Sequence, residues 1–395
     1  MMVQTEIGLL PEDWEVKAIG ECASLKAGDI VDIDTTSRKI YPCYGGNGIR
    51  GFVSKYTHEG TFPIIGRQGE WCGNVNLASG RFYATEHAVV ARPNKTTDAV
   101  CLYYFLKDAN LNQYATGCAQ PGLSVQNINK ILIPFPKNKT EQQNIASALS
   151  SIDKLIDDLG RTIQKKQLIR EGAMEELLSG KKRLPGFTED WVENTFDELF
   201  KPYSTASYSR EEMIEGNVLC IHYGDIHTKY GSVVYLDSDE IQTITKEQAG
   251  RYTRLKDGDI IMADASEDYE GIGKCIAVIT CGKEAIAGLH TILLRPKAND
   301  LFDHRFTSYI LSHRSTKKQI EYLSEGTKVN SISFNKIKAV TVTYPSSLKE
   351  QRTIADILTS MDDEISVLQI EKTKYEQIRS GMMEELLTGK KRLTK

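Results

Sequence analysis

Gly46, Gly48 and Gly51 have the GxGxxG spacing that allows a backbone to close around a dinucleotide pyrophosphate. That chemistry also needs a helix whose N-terminus receives the phosphates. Here the glycines run into FVSKYTHEG, which is strand-like and aromatic, so they are read as a turn. The sequence contains no Walker A string, HExxH pair, GxSxG elbow or zinc-deaminase pattern. It also has no (N/D)PP(Y/F) string of the kind used for amino-methyl transfer. Cysteines at 22, 43, 72, 101, 118, 220, 275 and 281 form no CxxC pair and have no histidines at zinc-ligand spacing, so they read as buried free thiols. The acid pairs Asp157–Asp158 and Asp362–Asp363 read as solvated helix faces and poor metal sites. No catalytic or metal-ligating residue is nominated, and neither hydrolysis nor methyl transfer is expected of this chain alone.

What the chain does contain is a repeat. EQQNIASALSSIDKLIDDLGRTIQKKQLIREGAMEELLSGKKRL, starting at Glu141, aligns without a gap with EQRTIADILTSMDDEISVLQIEKTKYEQIRSGMMEELLTGKKRL, starting at Glu350. Ile145, Leu149, Ile152, Ile156, Leu159 and Ile163 alternate spacings of four and three, as do Ile354, Leu358, Met361, Ile365 and Leu368, which predicts a heptad seam. Thr140 with Gln143, and Ser347 with Glu350, have capping-box spacing. Gly180 and Gly389 stand where a glycine closes a helix, beside a basic KKR that suits the negative helix end and is read as capping. Gly172 and Gly381, at equivalent interior positions, predict close backbone contact or a bend. A helix over 141–178 would be roughly 57 Å long at about 1.5 Å per residue. A domain-sized segment joins the copies, and domain termini tend to lie close together. The expected arrangement is therefore an antiparallel coiled coil with pseudo-twofold symmetry.

The segments preceding the helices differ over most of their length. LPEDW with Trp14 recurs as LPGFTEDW with Trp191, and NKILIPFP is echoed by NKIKAVTVTYP. Short strand and turn patterns dominate both interiors, in GTFPIIGRQGEWCGNVNL and RFYATEHAVVARP, then GDIIMADASEDYEGIGKCIAVIT and GLHTILLRP. Helical stretches CLYYFLKDANLNQYA and FTSYILSHRSTKKQIEYL follow. The reading is mixed α/β (α+β): a first domain over 1–140, a spacer helix over 141–184, a second domain over 185–349 and a second spacer helix over 350–395. The N-terminus has no basic start and apolar stretch, and no run approaches membrane-spanning length, so a cytoplasmic protein with no membrane partner is expected.

This order of parts, with the paired EQ(Q/R)xIA…MEELL(S/T)GKKRL helices, the PEDW-type starts and strings such as YGGNGIRG and GLHTILLRP, resembles the specificity subunits of type I restriction-modification enzymes over essentially the whole chain. The resemblance implies two target recognition domains, each reading one half of an asymmetric split site on double-stranded DNA. The spacer helices would act as a ruler, since half-sites one helical turn apart are separated by roughly 34 Å. It further implies two methyltransferase subunits docked on the constant helices and restriction/translocase subunits in the full complex. S-adenosylmethionine, ATP and magnesium would be used by those partners, with no cofactor in this chain. Bases are read by basic and amide side chains on surface loops. The candidates are Arg50, Lys55, Arg67, Gln68 and Asn74, flanking Tyr44, Tyr56 and Trp71, and then His222, Tyr223, Lys229, Tyr230, Lys274 and His290. The formal net charge of −4 runs against this reading, because DNA-binding domains usually exploit phosphate attraction. It leaves room for a non-catalytic coiled-coil scaffold carrying two ligand-binding modules.

Overall fold

The computed structural model describes residues 1–31, 40–117, 121–237, 241–268, 271–326 and 329–394. The chain divides into two compact units, Met1–Gly160 with Ile370–Lys395, and Arg161–Gln369. Both divisions fall inside the long helices Lys139–Leu178 and Leu348–Leu387, so the units cut across the expected boundaries at 140, 184 and 349. Each unit holds one globular domain, the first half of the helix that follows it and the second half of the other helix.

In the first unit, strand Ala88–Pro93 lies between Ala23–Ala27 and Phe62–Gly66, with Val75–Ala78 at the edge, all antiparallel. A second, mixed sheet runs Gly48–Val53, Tyr41–Gly45, Arg81–Ala84 and His58–Glu59. The apolar run AVVA is buried on both faces, as expected of a central strand. Helix Ala99–Asp108 starts at Asp98, whose carboxylate accepts from the amides of Val100 and Cys101. The helical stretch expected through residue 115 ends sooner, and a 3-10 turn Leu111–Tyr114 follows Asn110, which takes a φ of 45°.

The second unit repeats this plan with different details. A five-stranded sheet runs Phe200–Tyr203, Thr291–Pro296, Ile260–Ala263, Cys275–Ile279 and Val233–Tyr235, and a three-stranded one runs Thr243–Ile244, Val218–Ile221 and Ala285–Ala287. The single helical stretch expected over 306–323 is two helices, Phe306–Ser312 and Arg314–Leu323, broken at His313 by an extended ψ of 145°. In each unit a tryptophan begins a strand that pairs with the strand leading into the long helix, Trp14–Ala18 with Leu132–Pro136 and Trp191–Thr195 with Thr341–Pro345. This pairing explains why the domain edges match while the interiors diverge.

Inside each unit the two helix segments run antiparallel. In the first, Asn144 reaches the Leu393 carbonyl at 2.8 Å and Asp153 meets Arg379 at 3.2 Å. In the second, Arg170 pairs with Asp362, and Arg183 with Glu350. Ile145 and Leu149 pack with Trp14, Phe105, Leu386 and Leu387, and Ile354 and Leu358 pack with Tyr309, Leu177 and Leu178, so the first seam positions also anchor the globular cores. Ile152, Ile156, Ile163 and Ile365 are buried, while Leu159, Met361 and Leu368 are half-buried. Gly180 and Gly389 close their helices at φ 68° and 69°, with Lys182 and Lys391 amides returning to the carbonyls of Glu176 and Glu385.

Four expectations change. The first helix is capped by Asn138, whose side chain accepts from the Thr140 amide at 2.9 Å, and not by Thr140 with Gln143. Glu350 does not close a capping box with Ser347, because Arg183 holds both its oxygens at 2.8 Å. Among the described residues Gly172 and Gly381 meet no neighbour within 4 Å of where a Cβ would stand, so of the two readings, close backbone contact or a bend, the first is not met. Asp362 faces Arg170 and the Tyr309 hydroxyl, at 2.8 Å from the latter, and is no solvated acid; Asp153 has the same partners in Arg379 and Tyr104. Among the described cysteines all are buried except Cys281, exposed in a turn at φ 49°, while Cys118 lies outside the described residues.

The strongest shared device is a buried clasp. Glu141, 1% exposed at its side chain, accepts from Arg392 at 2.6 and 2.8 Å and from the Trp14 indole at 3.3 Å. Its counterpart Glu350 is held by Arg183, with Arg183 over the Trp191 ring as Arg392 is over Trp14. The neighbouring glutamines tie the helix start to the domain. Gln142 bridges the Pro136 and Thr96 carbonyls and the Asp98 amide, and Gln351 bridges those of Pro345, Leu301 and Asp303. The arginines of the two KKR runs thus belong to this clasp, while their lysines pair with acids 6 residues back. Replacing Arg183 or Arg392 with Met strands a buried carboxylate and should cost about 3 kcal/mol, the low end for such pairs because the guanidinium keeps some water. A lowered denaturation midpoint reads this out, and adding Glu350→Gln or Glu141→Gln to the matching variant should recover part of the loss.

Candidate nucleic-acid interface

In the first unit the turn Gly46–Asn47 joins two antiparallel strands, as expected of a glycine-rich turn, and no helix follows it. A Cβ on Gly66 would stand 2.2 Å from the Gly46 carbonyl oxygen, so the glycines bring this turn against the loop 67–74. Around that convergence Asn74 donates to Asn47 at 2.7 Å, Gln68 bonds the His87 ring at 2.9 Å, and the Arg67 amide donates to the His87 carbonyl. The Arg50 stem lies over Gly45. Four of the five candidates, Arg50, Arg67, Gln68 and Asn74, therefore share one cluster of turns with exposed Trp71, Ile49 and Phe52. Lys55 stands apart, beyond the far end of strand Gly48–Val53, beside Tyr56, whose ring lies tilted against Tyr41 and under Arg81. Tyr44 is buried against Phe82 and belongs to the core.

In the second unit the candidates surround the short helix Tyr223–Thr228. His222 is 6% exposed and its Nδ1 accepts from the Gly224 amide at 3.2 Å; burial lowers its pKa, which keeps the ring in the neutral form that can accept. It positions Tyr223, whose ring lies 4.7 Å from His222, 6.0 Å from His227 and 5.2 Å from His290. His290 is exposed at φ 55°, with Nδ1 3.4 Å from Asp264. Lys229 shares the buried Asp225 with Arg210, Tyr230 packs against the core, and Lys274 donates to the His227 carbonyl at 3.1 Å. All six thus fall in one neighbourhood. His87, Asn47, His227 and Asp264 join these clusters without having been singled out: Asn47 and His227 sit beside the candidates in the same turn and the same short helix, while His87 and Asp264 are brought in from distant positions by tertiary contacts that no local spacing marks.

These clusters offer imidazole, amide, hydroxyl, guanidinium and ammonium groups at an exposed rim, the donor and acceptor types that read base edges and hold phosphates. Buried thiols contribute no nucleophile: burial raises Cys22 to about 11 and Cys220 to about 12. Among the described residues no group of three or more His, Cys, Asp or Glu could hold a metal ion, and no helix is long and apolar enough to cross a membrane.

Comparison with known proteins supplies a relation. The type I restriction enzyme MjaVIII specificity subunit of Methanocaldococcus jannaschii is 25% identical over 97% of this chain and 94% of its own. The EcoprrI specificity subunit of Escherichia coli is 40% identical over 36% of this chain, a match that spans 37% of that relative's length. The solved S subunit of a type I restriction-modification system from M. genitalium has the same fold, with a TM-score of 0.69 at 20% identity over 94% of this chain and 96% of that one. Residues 11–168 and 189–380 each match the type I restriction modification DNA specificity domain, and the chain therefore belongs to that family.

Proposed function

We propose that this chain is the DNA-reading subunit of a type I restriction-modification enzyme, with each recognition domain contacting one half of a split, asymmetric duplex target and with no catalytic site of its own. The observation that carries this reading is the doubled frame: one clasp, built twice from the same residues, holds two domains whose exposed turn clusters differ. A repeated frame with unlike readers suits a target whose halves differ in sequence. Methyl transfer and cleavage, with their S-adenosylmethionine, ATP and magnesium, fall to two methyltransferase subunits and to restriction/translocase subunits, all in the cytoplasm.

A repeated surface supports the two-partner part of the proposal. Ile169 and Ile378 occupy equivalent positions, one in each unit, and are 53% and 40% exposed. One turn on stand Gly172 and Gly381, facing open space. An interior helical glycine costs about 1 kcal/mol relative to alanine, and among the described residues no neighbouring atom lies within 4 Å of where a Cβ would stand on either one; a partner backbone approaching the same spot twice would offset that cost.

Loss of the gene should remove methylation at one split motif in modification-sensitive sequencing of host DNA; an unchanged pattern, with partners present, would favour the scaffold reading that the net charge of −4 leaves open. Arg50→Ala or Gln68→Ala should relax one half of that motif, and His290→Ala the other, each by about 1–3 kcal/mol of discrimination at the base concerned. The chain should co-purify with two copies of the methyltransferase. Ile169→Glu or Ile378→Glu should reduce that to one, and the double variant should abolish it without lowering the thermal midpoint.

A further inference from the structure

Strand pairing matches the rims of the two units residue by residue. In the first unit Ala88 of the central strand faces Gly66 on one side, and Pro93 faces Ala23 on the other; in the second Thr291 faces Ala263, and Pro296 faces Phe200. The hydrogen bonds beyond the strands keep that register. The Gly66 amide donates to the Asn74 carbonyl and the Gly73 amide to the Gly66 carbonyl, as Ala263 does to Lys274 and Gly273 to Ala263. Gly73 and Gly273 are both left-handed, at φ 87° and 68°. The residue before each central strand is a histidine, His87 and His290. Its carbonyl accepts from the amide that follows the neighbouring strand, Arg67 at 2.9 Å and Asp264 at 3.1 Å. Both rings stand at the rim, 41% and 50% exposed at the side chain. Each Nδ1 meets the start of the same loop, at Gln68 Oε1 at 2.9 Å and at Asp264 Oδ1 at 3.4 Å. His290 stands at φ 55° and His87 has no positive φ, and the ring partner is the first residue of the loop in the second unit and the second residue in the first.

The matched positions around these histidines are unlike, Asn74 against Lys274 and Arg67 against Asp264. Strand pairing does not call for a histidine, because the shared bond is made by a main-chain carbonyl, and half-exposed rings are not selected by core packing. A side chain repeated in two otherwise different rims suits something that both domains meet. The half-sites differ in sequence, but each is methylated by a subunit docked on the same frame. What they share is a distance from the methylated base.

We propose that His87 and His290 are one DNA-contacting position built twice, so that both domains read a base pair at the same offset from the methylated base of their own half-site. This rests on the DNA-reading function proposed above. In the second domain His290 meets the base edge itself. In the first His87 is a positioning residue: its ring, with Glu86 3.2 Å from Nε2 on the other side, holds the Gln68 amide, and the amide reads the base. A held amide presents its donor and its acceptor in a fixed order, as a bidentate contact to a base edge requires, whereas a free amide turns over and accepts either order.

The test uses the assembled methyltransferase and motif duplexes carrying each base-pair change in turn, with the methylation rate at limiting enzyme and duplex as the readout. Gln68→Ala and His87→Ala should relax discrimination at the same base pair, each by about tenfold, and the double variant should be no more relaxed than either alone. His87→Asn keeps a hydrogen-bonding nitrogen where Nδ1 stands and should restore most of the discrimination, which a fault in folding would not confine to one base pair. His290→Ala should relax a base pair whose offset from the methylated base lies within one step of the offset found for Gln68, the step that the shifted ring partner allows. No effect of His87→Ala, an effect at another base pair, or offsets further apart than one step overturns the proposal. Discrimination unchanged by both Gln68→Ala and His290→Ala, in an assembly that still methylates its motif, overturns the proposal through its readers and leaves the DNA-reading function standing. An assembly that methylates no split motif refutes that function, and the proposal falls with it.

Discussion

The buried carboxylate that begins each long helix is the constraint on which the remaining architecture rests. Glu141 and Glu350 are each 1% exposed at the side chain, and a carboxylate so placed is tolerable only with a bidentate cation at hand. Arg392 and Arg183 meet that need in each unit from the tail of the other helix. One ion pair thereby fixes three things together: where a helix begins, where its neighbour ends and how the tryptophan strand lies across both. The adjacent glutamine, bonded on both sides of its amide, adds the globular domain to the same joint. Arg392, held by Glu141 and by Asp13 at 2.6 Å, is kept charged well beyond the ordinary arginine range.

With the frame locked so firmly, the recognition domains are free to differ. Their cores are satisfied by any apolar alternation that matches the strand register, and their rims are turns, most of whose exposed side chains lie outside the packed core. The cluster around Gly46 and Gly66 and the cluster around Tyr223 have no residue type in common beyond histidine and basic groups, yet each sits on sheets anchored through the same tryptophan strand. Divergence at the rim therefore leaves the frame unaffected, which is the property a family needs if it is to change its target while keeping its partners.

Local signals were enough for the elements whose stability is local. The heptad spacing marked both long helices to within a few residues, the terminal glycines marked their ends, and alternating apolar runs marked strands such as Ala88–Pro93 and Thr291–Pro296. Local reading went astray where a side chain had a stronger distant partner. Ser347-x-x-Glu350 has capping-box spacing, but a bidentate arginine outcompetes a single backbone amide for the glutamate. Asp362 resembles a solvated acid only until Arg170 and Tyr309 arrive, and His222 resembles an exposed reader until its helix is seen to need a cap.

The sequence by itself thus determined the repeat, the helices, the strand-rich domains between them and the family to which they point, because periodicity, capping and internal identity are written in neighbouring residues. The tertiary structure alone decided that the KKR arginines are clasps, that the compact units each take half of both helices, and that His87 and His290 hold equivalent places at the two rims. Those facts depend on pairs separated by tens to hundreds of residues, and the energy that joins them comes from burial and charge compensation, which no local spacing records.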